Sequence, residues 1–380
     1  MKLKTWHLFA VIIVLFVCSF YVINQKFDKF YRVNGINNDN RVLIEKYLDK
    51  DEQTFLIDNQ INIDLFIDYI EEDYFYLKNY QYYNQLSQSH RYKKKKDIID
   101  IGNSLSTRLT YLYSDKAITY AKELIDNQLE LAFLNESSFQ FENIHLYKNM
   151  KELYDKKDYS YIPDTHQYIQ RLNELGVTSS EEIDEVFSQL TSAYTKESLA
   201  QLMNKELDTG VEIVYNPYEL STLVDHKHYI GYYEPKGLLL TQDIPRMRYA
   251  MYLQSDAYNA LIKMYQDLSK NYNGFVLKDA YKSAQSLDTK EIGFNEFQLG
   301  ITIGITQSQV SYKDFENTEM SKWLEEHAYE YGYILRYPKN KASITNHAYD
   351  AHIYRYVGKS LAKSLHDSDL TLEEYLDMEE

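Results

Sequence analysis

The chain's histidines and carboxylates are its main resource for metal or acid–base chemistry. His226-Lys-His228 sets two imidazoles on one face of an extended segment, because alternate residues of a strand share a side. That spacing is usable for a metal ion. His327, His347 and His352 follow, and Asp350 stands two residues before His352. A metal site built from them requires several to converge, and scattered histidines otherwise read as surface or satisfied core residues. Other catalytic sets are missing from the sequence: there is no Ser-x-x-Lys motif and no phosphate-cradling Gly-rich loop. The only cysteine, Cys18, lies in an apolar run, so no internal disulfide forms and no soluble thiol is available as a nucleophile.

Four tracts carry more. They are Asp279-Ala-Tyr-Lys-Ser283, the run Gly293–Gly304, the run Trp323–Pro338 and the run Tyr349–Gly358. In order, spacing and filler residues they resemble the VanY-type zinc D-alanyl-D-alanine carboxypeptidases of bacterial cell walls, over residues 211–380. Members of that family typically read SGYRS, then SEHQxGxAVD, then WLxxNAxxYGFxLRYP, then EPWHYRYVG. The resemblance implies that zinc is held by the His of SEHQ, the Asp of AVD and the His of EPWH. It implies a general base in the Glu of EPWH, and a grip on the substrate carboxylate or oxyanion from the Arg of SGYRS.

Carried over position by position, the zinc ligands fall on Phe297, Gly304 and Ile353. The base falls on Asp350 and the substrate Arg on Lys282. Tyr281, Ser283, Gln298, Gly300, Tyr354, Arg355 and Gly358 match the pattern. A catalytic zinc needs three protein donors and an open position, and Phe, Gly and Ile offer none, so no cofactor is expected. Asp350 is one methylene shorter than Glu, and Lys282 lacks the bidentate fork of Arg. Asp350 and Lys282 thus mark vestigial catalytic positions. Tyr281, Ser283, Gln298 and His352 are the expected substrate contacts. The expectation is a catalytically inactive carboxypeptidase homologue that binds peptidoglycan stem peptide or regulates an envelope protein. The alternative is an active metallo-carboxypeptidase with zinc in a rebuilt site, drawing on His352, His347 or the His226/His228 pair.

The elements that must position these residues are an α+β set. Val211–Tyr215 alternates like a strand and stops at Asn216-Pro217. An amphipathic helix is expected over 247–270, and strands over Phe275–Asp279, Leu299–Ile305 and Tyr349–Val357. Thr318 is placed to cap a helix running to Tyr331, and Thr371-Leu-Glu-Glu374 to cap a terminal one. The resemblance implies the D,D-peptidase fold shared with Hedgehog signalling domains, a small antiparallel sheet with helices.

Upstream, the apolar run Trp6–Ile23 is long enough to span a bilayer. It is read as an uncleaved signal anchor over 6–24, with 1–5 cytoplasmic and the rest outside; a cleaved signal peptide is the other reading. Val17 before Cys18 argues against lipidation. Residues 25–210 carry helix signals: a stripe at Leu43, Ile44, Tyr47 and Leu48, another at Ile183, Val186, Phe187 and Leu190 behind a capping pattern at Thr178–Glu181, and a helix from Asp164 or Thr165 to Leu175. Leu56-Ile-Asp-Asn-Gln60 recurs as Leu124–Gln128, each followed by Asn-x-x-x-Tyr at Asn79–Tyr83 and Asn143–Tyr147, a pattern of two small helical modules. The net charge of −16 disfavours nucleic acid. Thirty-nine tyrosines replace Phe at core margins or offer faces to sugar rings.

Overall fold

The apolar run forms one helix, Thr5–Phe27, in a computed structural model that describes residues 5–379. Its stretch Trp6–Asn24, 19 residues, is long and apolar enough to cross a membrane, and none of the most apolar window is buried against protein. At ~1.5 Å per residue it reaches roughly 28 Å. Lys2 and Lys4, in the expected cytoplasmic tail, lie outside the described residues.

Contacts divide the chain into two units, Met1–Phe141 and Glu142–Glu380. The region expected as one helical segment, 25–210, is shared between them. In the first unit the helices Asn38–Tyr47 and Lys50–Asp58 start at capping boxes on Asn37 and Asp49. They bury Ile44, Leu48 and Leu56 with Ile63, Phe66 and Leu77, whereas Tyr47 of the expected stripe is 39% exposed.

The two Leu-Ile-Asp-Asn-Gln tracts take the same local structure. Each ends a helix, Lys50–Asp58 and Ala117–Asp126, with Gln60 and Gln128 at φ +49° and +58°. In each, the residue after Gln donates its N–H back to the Leu carbonyl, Ile61 to Leu56 at 3.2 Å and Leu129 to Leu124 at 2.8 Å. This is the 6→1 closure of a Schellman motif. The Asn side chains of both donate to the carbonyl four residues back, at 2.8 Å. Downstream, Tyr83 and Tyr147 are both fully buried.

The second unit opens with helices Ile144–Lys151, Tyr161–Glu174, Ser180–Ala193 and Lys196–Met203. The second of these begins three residues before Asp164, because Pro163 is tolerated in a first turn where N–H groups are unpaired. The capping box of the third falls on Ser179 and Glu182, one position beyond the expected pair.

Eight strands follow among the described residues. The short β1 (Glu212–Ile213) pairs in parallel with β2 (His228–Tyr229), and β3 (Leu238–Leu240) pairs with β4 (Tyr252–Gln254). The helix expected from 247 starts only at Ser255, since Tyr252–Gln254 is held as strand and Met247 donates to the Leu277 carbonyl at 2.9 Å. The main sheet comprises β5 (Phe275–Asp279), β6 (Thr302–Gln307), β7 (Tyr333–Tyr337) and β8 (Asp350–Tyr356), in the antiparallel order β5-β6-β8-β7. Helices Ser255–Leu268 and Glu319–His327 accompany it, the latter capped by Thr318. Leu299, expected to open a strand, instead ends a 3-10 turn, Glu296–Leu299, that closes at Gly300 with φ +70°, and the strand begins at Thr302. The domain is α+β, with small antiparallel sheets and helices.

Candidate functional site

The register of β5, β6 and β8 sets Asp279 opposite Gly304 and Gly304 opposite Ile353. Directly paired residues share a face, so the three form a row across one side of the sheet. A methyl group at Gly304 would stand 3.0 Å from Asp279 Cβ, 3.2 Å from its backbone nitrogen and 3.4 Å from its Oδ2. The room a β6 side chain would need is therefore taken by Asp279.

Phe297 joins this row through Lys282. It lies on the turn Glu296–Leu299, and its carbonyl accepts the Lys282 N–H at 3.2 Å. The Lys282 ammonium stands 4.7 Å from the centre of the Phe297 ring and 3.6 Å from Asp279 Oδ1. The carried-over metal positions are thus lined by charge as well as by apolar side chains. Arg248 Nη2 and Lys278 Nζ approach the same carboxylate at 3.5 and 4.0 Å.

Asp350 turns its carboxylate onto its own strand and a neighbour. Oδ1 accepts the His352 N–H at 2.9 Å and Oδ2 accepts the Tyr312 hydroxyl at 2.8 Å. Burial first, and then that carboxylate, push the Tyr312 hydroxyl up to about 12. His352 is buried between the Tyr312 and Phe315 rings, at 3.9 and 4.4 Å. Its Nδ1 is 2.6 Å from the Ile305 carbonyl and its Nε2 3.0 Å from the Tyr312 carbonyl. Both partners are backbone carbonyls, so both ring nitrogens are directed at main chain.

Two expected substrate contacts need correction. His352 is 2% exposed with both ring nitrogens committed to backbone, because its strand position points away from the Gly304 row. Gln298 is fully buried; its amide donates to the Gly231 and Tyr233 carbonyls at 2.8 and 3.1 Å and its oxygen accepts the Gly293 N–H at 2.9 Å. It ties loops together and presents nothing outward. Tyr281 and Ser283 are half-buried beside Lys282, and burial lifts the Tyr281 hydroxyl to about 12.

Arg355, one of the matched residues, belongs to a buried ionic network. Glu296 accepts from Arg336 Nε at 2.8 and 3.0 Å and from Arg355 Nη1 at 2.5 Å. Arg355 also donates to the Leu220 and Thr222 carbonyls at 2.9 and 2.6 Å, and Arg336 Nη1 lies 2.8 Å from Glu373. Burial opposes the charge on Glu296, but the two guanidiniums outweigh it and hold the carboxyl below its usual range. The network is buried, with Arg336 and Arg355 almost without exposure.

The family's zinc does not fit these residues. The three carried-over positions supply a ring, a hydrogen and an alkyl group, and no lone pair. Among the described residues, no group of three or more His, Cys, Asp or Glu side chains is arranged to hold a metal ion. The other histidines are dispersed. His228 bonds Asp225 at 2.8 Å, His226 meets the Asn346 amide at 3.3 Å, His327 meets Glu330 at 3.0 Å, and His347 stacks on Tyr337 at 3.9 Å. Sequence reasoning missed Asp279, Arg248, Lys278 and Tyr312 as members of the site. Only Asp279 left a signal, as the first residue of a matched tract where the family reads Ser.

Comparison with known proteins places the site in context. The family model described as VanY, D-alanyl-D-alanine carboxypeptidase, matches residues 263–359. YodJ of Bacillus subtilis (strain 168), named as a carboxypeptidase, is 31% identical over 205 residues, 46% of this chain and 72% of its own. A D-alanyl-D-alanine carboxypeptidase of Enterococcus faecalis is 36% identical over 104 residues, 26% of this chain and 38% of its own. Among solved structures, the LdcB LD-carboxypeptidase, described in connection with peptidoglycan recognition, is 31% identical, with 46% of this chain and 92% of that chain covered and a TM-score of 0.41.

Proposed function

This chain belongs to the VanY family of D-alanyl-D-alanine carboxypeptidases, and from that premise we propose that it is a membrane-anchored member that binds cell-wall stem peptide, or an envelope protein, without cleaving it. The observation that supports this most is the row Asp279–Gly304–Ile353, with Lys282 over Phe297, where three metal donors would be needed. Zinc in such an enzyme acidifies a water and polarises the scissile carbonyl. The residues present do neither. Asp350, at the position of the base, has its oxygens engaged by Tyr312 and by the His352 backbone. What remains are half-buried Tyr281 and Ser283 and partly exposed cations, suited to holding a peptide end. The Trp6–Asn24 helix is the membrane anchor in this reading, with the rest of the chain outside the cytoplasm.

The test is metal content and turnover of the detergent-solubilised full chain. No stoichiometric zinc and no D-alanine release from a stem pentapeptide are expected, together with retention on purified peptidoglycan. Stoichiometric zinc with D-alanine release would overturn the inactive reading and support the rebuilt site. Activity-free protein that also ignores peptidoglycan would leave an envelope protein as the partner.

A further inference from the structure

The two edges of the main sheet differ. At the β5 edge the chain doubles back on itself, with Leu277 N–H donating to the Pro245 carbonyl at 2.8 Å and Met247 N–H to the Leu277 carbonyl at 2.9 Å. At the other edge stands β7. Val357 donates its N–H to the Gly332 carbonyl at 2.9 Å, so these two residues form a bonded pair. Bonded and non-bonded pairs alternate along an antiparallel ladder. The pairs Tyr333 with Tyr356 and Leu335 with Tyr354 are therefore non-bonded. The Tyr356 N–H accordingly goes the other way, to the Ile301 carbonyl at 2.9 Å. Leu335 thus directs both its N–H and its C=O away from β8, and among the described residues neither group has a partner. The residue is half-buried rather than sealed off.

A cleft of about 380 Å³ lies against this strand. Ile334 and Leu335 both line it, although their side chains leave β7 on opposite faces, so the cleft runs along the outer edge of the strand. Leu324, on the helix Glu319–His327, and Ala328 just after it form one wall. Leu365, on the helix Lys359–Ser368, and Leu370 form the other, and Ile334 and Leu370 pack in the apolar cluster of Leu365. Two carboxylates, Glu325 and Asp369, line the cleft. The lysine among the lining residues, Lys339, is drawn to Glu316 at 3.5 Å. The charge left to answer is negative.

We propose that this cleft is a docking groove for an extended segment of an envelope protein, which adds to the four-stranded sheet as a fifth strand beside β7. An unpaired N–H and C=O on one residue call for a ligand that offers an acceptor and a donor at strand spacing, and extended polypeptide does so while its alternate side chains enter pockets on either face. The residue opposite Leu335 turns its side chain toward Leu324 and Ala328, and its two neighbours turn theirs toward Leu365 and Leu370. A flanking basic residue answers Glu325 or Asp369. The added strand is short, because a bulge follows Leu335 and Pro338 ends the ladder. The groove shares no residue with the Asp279–Gly304–Ile353 row or with Tyr281–Ser283, so it stands or falls apart from the reading of that site.

The experiment is fluorescence anisotropy of the detergent-solubilised full chain with a labelled peptide of sequence Lys-Leu-Val-Leu-Lys, blocked at both ends, and with a copy N-methylated at its three central residues. The parent peptide should bind, and the N-methylated copy, which keeps the side chains but lacks the donors, should bind about tenfold more weakly or worse. Leu335→Pro, which removes the outward N–H at an edge position where proline is tolerated, should weaken the parent by a similar factor. Glu325→Gln should weaken it several-fold and leave unchanged a peptide with Gln in place of both Lys. Thermal melts verify folding, and Leu370→Lys replaces the proline variant if that one melts early. No binding of the parent peptide, or equal binding of the N-methylated copy, would overturn the proposal. So would a dimer in sedimentation that Leu335→Pro dissociates, since the occupant would then be a second copy of the chain. Retention on purified peptidoglycan, which tests the reading of the Gly304 site, should be the same in Leu335→Pro and wild type; its loss in the variant would give the groove to wall peptide and likewise overturn the proposal.

Discussion

Gly304 is required by its neighbour rather than by its own backbone. Any β-carbon there meets Asp279 at 3.0–3.4 Å, and one of the contacting atoms is a main-chain nitrogen that cannot swing aside. Gly304→Ala should cost about 1–3 kcal/mol, the range for overpacking, seen as a lower Tm. Gly304→Asp should cost more and be relieved by Asp279→Ser. Restoring Phe297→His, Gly304→Asp and Ile353→His therefore regains zinc only with Asp279→Ser added; Gly304→Asp alone melting like wild type would refute this. A second residue pair sets a pH window. Burial raises the Asp225 carboxyl, but bonds from His228 and from the backbone N–H groups of Lys227 and His228 outweigh it and leave it at about 2. The bond to Asp225 raises His228, against burial. A raised His contributes stability fully present below its ordinary 6.5 and lost as pH rises through its folded value. The depressed Asp contributes above its ordinary 3.8 and is lost as pH falls through about 2. The Tm deficit of His228→Gln should thus be largest near pH 5–6 and shrink above pH 7, and a constant deficit to pH 8.5 would show that the charge is not involved. That Gly304 and Ile353 would meet followed from the family resemblance, which gives both positions to one metal ion. The Asp279 contact was not legible, because it depends on cross-strand register. Gln298 and His352 were misread because a motif match does not separate residues that touch a ligand from residues that hold the loops.

At the scale of elements, what the sequence disclosed best was whatever local chemistry decides. Phe275–Asp279 is a strand and Thr318 a cap as the residues suggest, and the Thr371/Glu374 side chains and backbone N–H groups bond reciprocally at 3.2 and 2.8 Å. The start of the helix near 255 was hidden, because residues 247–254 have helical spacing but are drawn into extended pairing with β3 and β5. Likewise the turn at 296–299 obeys Asn295, which accepts the Phe297 N–H at 3.0 Å, and not the strand pattern around it. The recurrent Leu-Ile-Asp-Asn-Gln tract ends two helices by one device, and both copies place a Gln where left-handed backbone favours Gly. L-residues are penalised there by about 1–2 kcal/mol, offset in part by the greater unfolded-state freedom of Gly. Gln128→Gly should therefore stabilise the chain by about 0.5–1 kcal/mol in a denaturant titration. A loss of stability would mean that the glutamine side chain contributes something beyond its backbone angle.

For the whole molecule, the proposed reading makes the apolar helix a surface tether for the peptidase-like domain. Protease added to intact, wall-stripped cells should digest residues beyond the helix, and complete protection would reverse the assignment. Composition disclosed the apolar helix, since apolarity sums along the chain. It did not supply the division at 141, which depends on how helices of similar composition choose partners. The buried network has a consequence for biogenesis. Its members are Leu220, Thr222, Glu296, Arg336, Arg355 and Glu373, and two of its charges are guanidiniums with almost no exposure. A buried charge without its partner is strongly unfavourable, so the domain gains little by closing early. Under the proposed topology the polypeptide is threaded across the membrane from its N-terminal side. Glu373 then crosses after the other five members, and the Arg336 guanidinium gains its second carboxylate only once that residue has emerged.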